Sequence, residues 1–275
     1  MSRRFDEATR LEPCGNGRYQ LEVEEGDYWG VVTPHGGYLM ALMFEAMQLE
    51  VAQAERRPRS LVQHFLGRIA PGRVTIEVTI ERTSRAVTSV TARMQSGENV
   101  AGLATAMFTT AREGPRFLDE GMPEVDPPSD QDEVLPIFIA PVHEHFDFHR
   151  RFGSDAAVVP VEDGGWVVPR ESGTWDHRMA LLLSDIWIPP IIRHPERVAA
   201  TPSLHHAVHF GSDVEGKGGE AFLVRHQLTH GGEGISDEDI SLWCDDGRLL
   251  LRARQLRMVV SPETMKIDGD WPGRD

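Results

Sequence analysis

Asp185 stands in the run Leu181-Leu182-Leu183-Ser184-Asp185-Ile186-Trp187-Ile188, a carboxylate among large apolar side chains near the end of a helical pattern. Burial disfavours its ionised form and so does the negative end of a helix dipole, so both effects raise its pKa. A carboxylate kept there fits a general base that takes a proton from water; the alternative is a group facing solvent beside Ser184 on the polar side of the helix. Gln255 ends the run RLLLRARQ, where alternation sets it on the face of Leu249, Leu251 and Ala253. An amide on an apolar strand face needs partners, either a water and a reacting carbonyl or neighbouring backbone. Ser203 opens SLHHAVHF, where alternation groups it with His205, Ala207 and His209 and leaves the more apolar Leu204, His206, Val208 and Phe210 on the other face. A bulge or an irregular strand start is therefore needed if Ser203 is to face a site. No G-x-S-x-G elbow surrounds it, so it is not read as a covalent nucleophile, and a plain turn role stays open.

Three further groups carry weaker signals. His35-Gly36-Gly37 opens a helical run, and amides at a helix N-terminus can hold an anion or a developing oxyanion; the glycines equally well allow the helix to pack tightly on a sheet. His143, His145 and His149, and His205, His206 and His209, invite a metal reading. It is set aside, because zinc sites usually add Cys or acidic ligands and a second shell. Arg56, Arg57 and Arg59 suit a nucleotide phosphate or a solvated helix end.

The elements that must position these residues come in two similar sets. In the first half, GGYLMALMFEAMQLEV spaces Leu39, Met43, Met47 and Val51 about one turn apart, which predicts a helix. LVQHFLGRI, VTIEVTIERTS, AVTSVTARMQ and NVAGLATAMFTT follow as strands, with a turn at Ser96-Gly97. In the second half, DHRMALLLSDIW predicts a helix through Met179, Leu182, Leu183 and Ile186, ended by Pro189 and Pro190. SLHHAVHF, AFLVRHQLTH, DISLWC and RLLLRARQLRMVV then read as strands, with a turn at Asp245-Asp246-Gly247. Between the sets, residues 113–135 are rich in proline and acid and lack apolar periodicity, which predicts a linker between units 1–112 and 136–275. In the first half the positions matching Gln255 and Ser203 fall near Thr105 and Pro58, and its helix holds Glu45 but no Asp. One active site per chain follows, where the two units meet.

Composition bounds the rest. The 275 residues include 28 Lys+Arg against 43 Asp+Glu, a formal charge of -15 that repels polyanions, so nucleic acid is not expected as a partner. Cys14 and Cys244 form neither a disulfide framework nor a metal-ligand spacing, which suits a reducing compartment. The most apolar helix, around Tyr38 to Met47, is interrupted by Glu45 and too short to span a bilayer, and MSRRFDEATR has no apolar signal core. A cytoplasmic protein with no membrane partner is expected.

The segments HGGYLMALMFEAM, HFLGRIAPGRVTIEVTIERTSRAVTSVTARM and LTHGGEGISDEDISLWCDDGRLLLRARQLRMVV resemble the TesB-like acyl-CoA thioesterases over roughly residues 15 to 112 and 165 to 260. The resemblance implies an α+β double hotdog, two antiparallel sheets each wrapped around a central helix and joined into one continuous sheet. It further implies hydrolysis of an acyl-CoA thioester by general-base activation of water. Asp185 would be the base, Ser203 and Gln255 would hold the water, and His35, Gly36 and Gly37 would contact the thioester end of the substrate. No metal or redox cofactor is implied, coenzyme A enters as part of the substrate, and a homodimer or larger assembly is expected. The rivals are a non-catalytic acyl-CoA or lipid-binding double hotdog and a hotdog enoyl-CoA hydratase, the latter lacking a convincing His and acid pair.

Overall fold

Alternating apolar residues hydrogen-bond into strands at the segments that carry them. A computed structural model describes residues 3–115, 121–129, 131–137, 139–153, 162–171, 175–193, 196–211, 214 and 220–267. The strands are β1 (Glu12–Gly15), β2 (Arg18–Val23), β3 (Arg56–Phe65), β4 (Gly72–Thr83), β5 (Val87–Ser96), β6 (Asn99–Thr110), β7 (Phe146–Phe152), β8 (Glu162–Pro169), β9 (Ser203–Phe210), β10 (Phe222–Gly232), β11 (Ile235–Cys244) and β12 (Leu249–Met258). The helices are α1 (Arg3–Ala8), α2 (Gly36–Val51), α3 (His177–Leu183) and α4 (Pro262–Ile267). None is long and apolar enough to cross a membrane.

The strands form one 12-stranded sheet in the order β1-β2-β4-β5-β6-β3-β9-β12-β11-β10-β8-β7. Every neighbour is antiparallel, including the central seam, where β3 and β9 pair from Ser60 opposite His209 to His64 opposite His205. The order on one side of this seam mirrors that on the other. A second signature of repetition lies in the ladders. β3 slips register against β6 between Pro58 and Ser60, and β9 slips against β12 between Ser203 and His205. Pro58 lies six residues before His64, and Ser203 six before His209. The same bulge is therefore built twice.

Helix α2 is buried along nearly its whole length, because β3 to β6 cover one side and α3 the other. Helix α3 is shorter than its sequence pattern predicts. It stops at Leu183, where the amides of Asp185 and Ile186 turn back to the carbonyls of Leu182 and Leu183, tightening the last turn. It packs chiefly on α2, so among the described residues a full-length central helix is found in the first half only.

Strands β1, β2, β7 and β8 and helices α1 and α4 lie outside the expected set. β2 does alternate, burying Tyr19, Leu21 and Val23, and β7 lies in the stretch noted only for its histidines. Residues 121–129 and 131–137 carry no helix or strand. They are nevertheless pinned: Trp166 Nε1 and Arg151 Nε donate to the Asp126 carbonyl at 2.8 and 2.7 Å, and Met122 and Val125 pack on a separate apolar cluster of Trp166, Ala221, Leu223 and Trp243.

Candidate active site

The two helices run antiparallel, and their capping groups bring the site together. The Asp176 carboxylate caps α3 by accepting from the amides of Arg178 and Met179. Arg178 lies 3.5 Å from Glu45 late in α2, so Glu45 serves to hold the helix pair. At the opposite end, the Gly37 amide at the start of α2 donates to Asp185 Oδ2 at 3.0 Å, just beyond the end of α3.

Asp185 is 8% exposed and faces the sheet rather than solvent. Its Oδ1 accepts from Gln255 Nε2 at 2.8 Å and from Arg257 Nη2 at 2.7 Å. Gln255 Nε2 also donates to Ser203 Oγ at 2.8 Å, so one amide joins Asp185 and Ser203 from residues 70 and 52 positions away. Ser203 reaches inward because of the bulge, which sets it opposite Arg257 while His205 stands opposite Leu256.

Burial does push the Asp185 carboxyl upward, as its apolar surroundings predict. The Arg257 guanidinium, and after it His35, His206 and the Gln255 amide, more than reverse that push and hold the carboxyl well below the usual carboxylate range. The expectation of a raised pKa is thus overturned, and Arg257 is the residue that sequence reasoning missed. The signal was present: alternation carries the inward face of β12 from Gln255 to Arg257, which is 6% exposed.

His35 caps α2 with its Nε2 3.7 Å from Asp185 Oδ2, and burial lowers its pKa despite the nearby carboxylate. The Gly37 amide, read as a donor to an anion or a developing oxyanion, donates to the Asp185 carboxylate. Both glycines are required by space. A Cβ at Gly37 would lie 2.7 Å from the Leu182 carbonyl oxygen, and one at Gly36 would lie 2.5 Å from Asp185 Oδ2. Gly37→Ala is expected to cost about 1–3 kcal/mol by forcing the helix backbones apart, read as a fall in denaturation midpoint. Gly36→Ala is expected to displace the carboxylate and lower turnover about 10- to 100-fold, with a smaller loss of stability, because alanine suits the helix itself.

Beneath Arg257 lies a second buried layer. Glu238 Oε2 accepts from Arg257 Nε at 3.0 Å and pairs with His226 Nε2 at 2.9 Å, while Oε1 accepts from Ser236 Oγ at 3.1 Å. Glu238 is fully buried; burial alone would raise its pKa, but His226 and Arg257 lower it to about 2. His206, opposite Gln255 on β9, is equally buried, and desolvation lowers it to about 4. Burial lowers His143 to about 4 as well, with His35 adding to the effect.

These shifts fix a sign for stability against pH. Between the ordinary histidine value and about 4, the unfolded chain binds protons at His143 and His206 that the folded chain refuses. Stability from the two is complete above pH 6.5 and is lost as pH falls towards 4, by up to about 1.4 kcal/mol per pH unit for each. His206→Leu should remove about one proton from the slope of unfolding free energy between pH 6 and 4.5. An unchanged slope would contradict the assignment.

The first half has a counterpart of this corner without the charges. His35 and Asp176 cap their helices, and nine residues beyond each stand Phe44 and Asp185. Phe44 stacks on Phe108 at 6.1 Å, where the second half pairs Asp185 with Arg257. Pro58 and Ala106 replace Ser203 and Gln255. The other sequence candidates are engaged locally: Arg56 donates to the Ser84 carbonyl, Arg59 to Thr109 Oγ1, and the His145 ring stacks on Tyr28. Among the described residues no three His, Cys, Asp or Glu are grouped to hold a metal ion.

Comparison with known proteins agrees with this architecture. The profile of the acyl-CoA thioesterase N-terminal domain matches residues 26–109, and that of the C-terminal domain matches residues 119–259. A hot dog fold protein of unknown function from Alicyclobacillus acidocaldarius is 25% identical, with a TM-score of 0.84 over 95% of this chain and 100% of its own. An acyl-CoA thioesterase II, TesB2, from Mycobacterium marinum and a tesB protein from Mycobacterium avium subs. paratuberculosis share the fold at 17% and 16% identity. Each has a TM-score of 0.75, covering 94% of this chain and 98% of its own. No curated protein matches the sequence. The two profiles, one on each side of the β3–β9 seam, place the chain in the acyl-CoA thioesterase family.

Proposed function

We propose that this protein hydrolyses an acyl-CoA thioester by attack of water, with Asp185, Ser203 and Gln255 as the catalytic residues. The observation that carries the reading is the Gln255 amide, which donates to Asp185 and Ser203 at 2.8 Å each although the three side chains come from separate elements. Asp185 accepts a proton from the water as its oxygen bonds to the thioester carbon. The C–S bond then breaks, and the proton passes to the departing coenzyme A thiolate. Because Asp185 is ionised throughout the physiological range, it contributes more by orienting the water and stabilising positive charge on it than by high basicity. Ser203 Oγ accepts from Gln255 Nε2 and from Arg257 Nη1, at 2.8 and 3.2 Å. Its hydroxyl proton is thereby directed outward, to the water or the reacting carbonyl, and among the described residues no base hydrogen-bonds it to make it a nucleophile. His35 and Gly36, beside Asp185, line the thioester end of the substrate.

Gly37 and Asp185 belong to different halves of one chain, so activity does not require a second copy. The low basicity of Asp185 favours a second reading, a module that binds acyl-CoA without cleaving it. A panel of acyl-CoA thioesters of varied chain length and branching, with thiol release and calorimetric binding read together, separates the two. Thiol release above the uncatalysed rate for at least one class is expected; binding with no release for any class assigns the second reading.

A further inference from the structure

Arg257 meets each member of the trio at once. Its Nη2 donates to Asp185 Oδ1 and to Gln255 Oε1, both at 2.7 Å, and its Nη1 donates to Ser203 Oγ at 3.2 Å and to the Thr201 carbonyl at 3.4 Å. Its Nε is spent on Glu238, which Ser236 and His226 hold from the far side. We propose that Arg257, braced by the buried Glu238–His226 pair, is the positioning residue of the site and sets the mutual orientation of Asp185, Ser203 and Gln255. The proposal rests on the thioesterase reading for its kinetic consequences, but not for its geometry.

The amide of Gln255 shows what the clamp does. A primary amide can turn over and exchange its oxygen and nitrogen with little change in shape. With Arg257 donating to Oε1, only one orientation satisfies both ends, and it aims the NH2 group at Asp185 and Ser203. Turned over, Oε1 would confront the Asp185 carboxylate and the NH2 group would confront a guanidinium. Arg257 likewise supplies the second donor to Ser203 Oγ, which frees the hydroxyl proton to point elsewhere.

Glu238 acts one step further back. Arg257 stands between two carboxylates, each within 3.0 Å of a different nitrogen, so its planar fork is fixed at both ends. Without Glu238 the guanidinium can slide towards Asp185 and give up Gln255 or Ser203. The groups facing Asp185 are Arg257, His35, His206, the Gln255 amide and the Gly37 amide, and those facing Glu238 are Arg257, His226 and Ser236.

The first half of the chain supplies an internal control. There the equivalent corner closes with Phe44 against Phe108, and Val90, opposite Ala106, stands where Glu238 stands opposite Gln255. The fold therefore closes this corner without charge, and replacing buried ion pairs by packed apolar residues is often neutral or stabilising. Charges retained in the second copy alone point to chemistry rather than to packing.

The test uses Arg257→Lys, Glu238→Gln and Glu238→Leu, with kcat and KM measured per folded molecule, and Val74→Ala in β4 as a remote variant of lowered stability. Lysine keeps the charge but cannot present the fork, so Arg257→Lys should lower kcat about 10- to 100-fold with KM within about twofold. Glu238→Gln, which keeps the shape of the brace, should retain more activity than Glu238→Leu, and Val74→Ala should keep the wild-type kcat. Independently of activity, the Arg257 Nε–H proton should exchange slowly in the wild type and faster in Glu238→Leu by nuclear magnetic resonance. Wild-type kcat in Arg257→Lys, or loss in Glu238→Leu only in proportion to the unfolded fraction, would overturn the proposal. Slow exchange in a wild type that cleaves no thioester would leave the clamp standing and remove the thioesterase reading instead.

Discussion

Asp185→Asn is expected to lower kcat by about 100-fold or more while leaving KM for the acyl-CoA within a few-fold. Asparagine keeps the outline of the side chain. Its carbonyl can still take the bonds from Gln255 and Arg257, but its NH2 group would face the Gly37 amide, which now donates to Oδ2 at 3.0 Å. Two donors then meet, and Arg257 keeps Glu238 as its remaining carboxylate partner. A stability loss of about 1–3 kcal/mol should accompany the kinetic one, so activity has to be expressed per folded molecule. The wild-type profile of kcat/KM against pH adds a second check. With Asp185 held below the usual carboxylate range and His206 and His143 lowered to about 4, none of these three should add an inflection between pH 5 and 7. Full activity in Asp185→Asn removes Asp185 from the mechanism. A wild-type inflection near pH 6 that vanishes in Asp185→Asn would restore the raised pKa that the apolar sequence around it suggests.

Arg257→Met is expected to be the most destabilising single change at the site, by about 3–5 kcal/mol at neutral pH, because it strands the buried carboxylates of Asp185 and Glu238. The sign of its pH dependence is distinctive. In the wild type both carboxyls are depressed, so their contribution is present above the unfolded value near 4 and is lost as pH falls below it. In the variant, burial acts on Asp185 without the opposing guanidinium, and its folded pKa rises above the unfolded value. Protonation then favours the folded form, so the variant recovers part of its deficit as pH falls from 7 towards 5. Urea midpoints for the two proteins at pH 7 and pH 5 should therefore converge. A deficit independent of pH would show that the loss is one of packing volume.

Much of the scaffold follows from local pattern. The periodicity of GGYLMALMFEAMQLEV places α2 at the residues it occupies, and NVAGLATAMFTT and SLHHAVHF coincide with β6 and β9. Alternation within SLHHAVHF even shows that Ser203 faces the wrong way unless the strand is irregular, and a bulge lies there. Such features are legible because a strand's two-residue period and a helix's 3.6-residue period assign each side chain to a face without reference to distant residues. Apolar neighbours likewise mark Asp185 as buried, and the inward face of β12 carries Gln255. The outer strands are harder to read, because β7 and β8 alternate weakly.

What only the tertiary structure decided is what surrounds each side chain once it is inside. Helix α3 ends at Leu183 because the following turn hands Asp185 to the sheet, which helical periodicity in LLLSDIW cannot reveal. Two glycines that read equally well as packing or anion-binding residues are required because a Cβ would come within 3 Å of the Asp185 carboxylate at Gly36 and of the α3 backbone at Gly37. Above all, the charge state of Asp185 depends on two terms of opposite sign. Burial is written in the residues next to it, while the guanidinium that outweighs burial comes from Arg257, 72 residues away. Coulomb attraction falls with distance in space and takes no account of distance along the chain, so its sign at Asp185 is settled only when β12 folds beneath the end of α3.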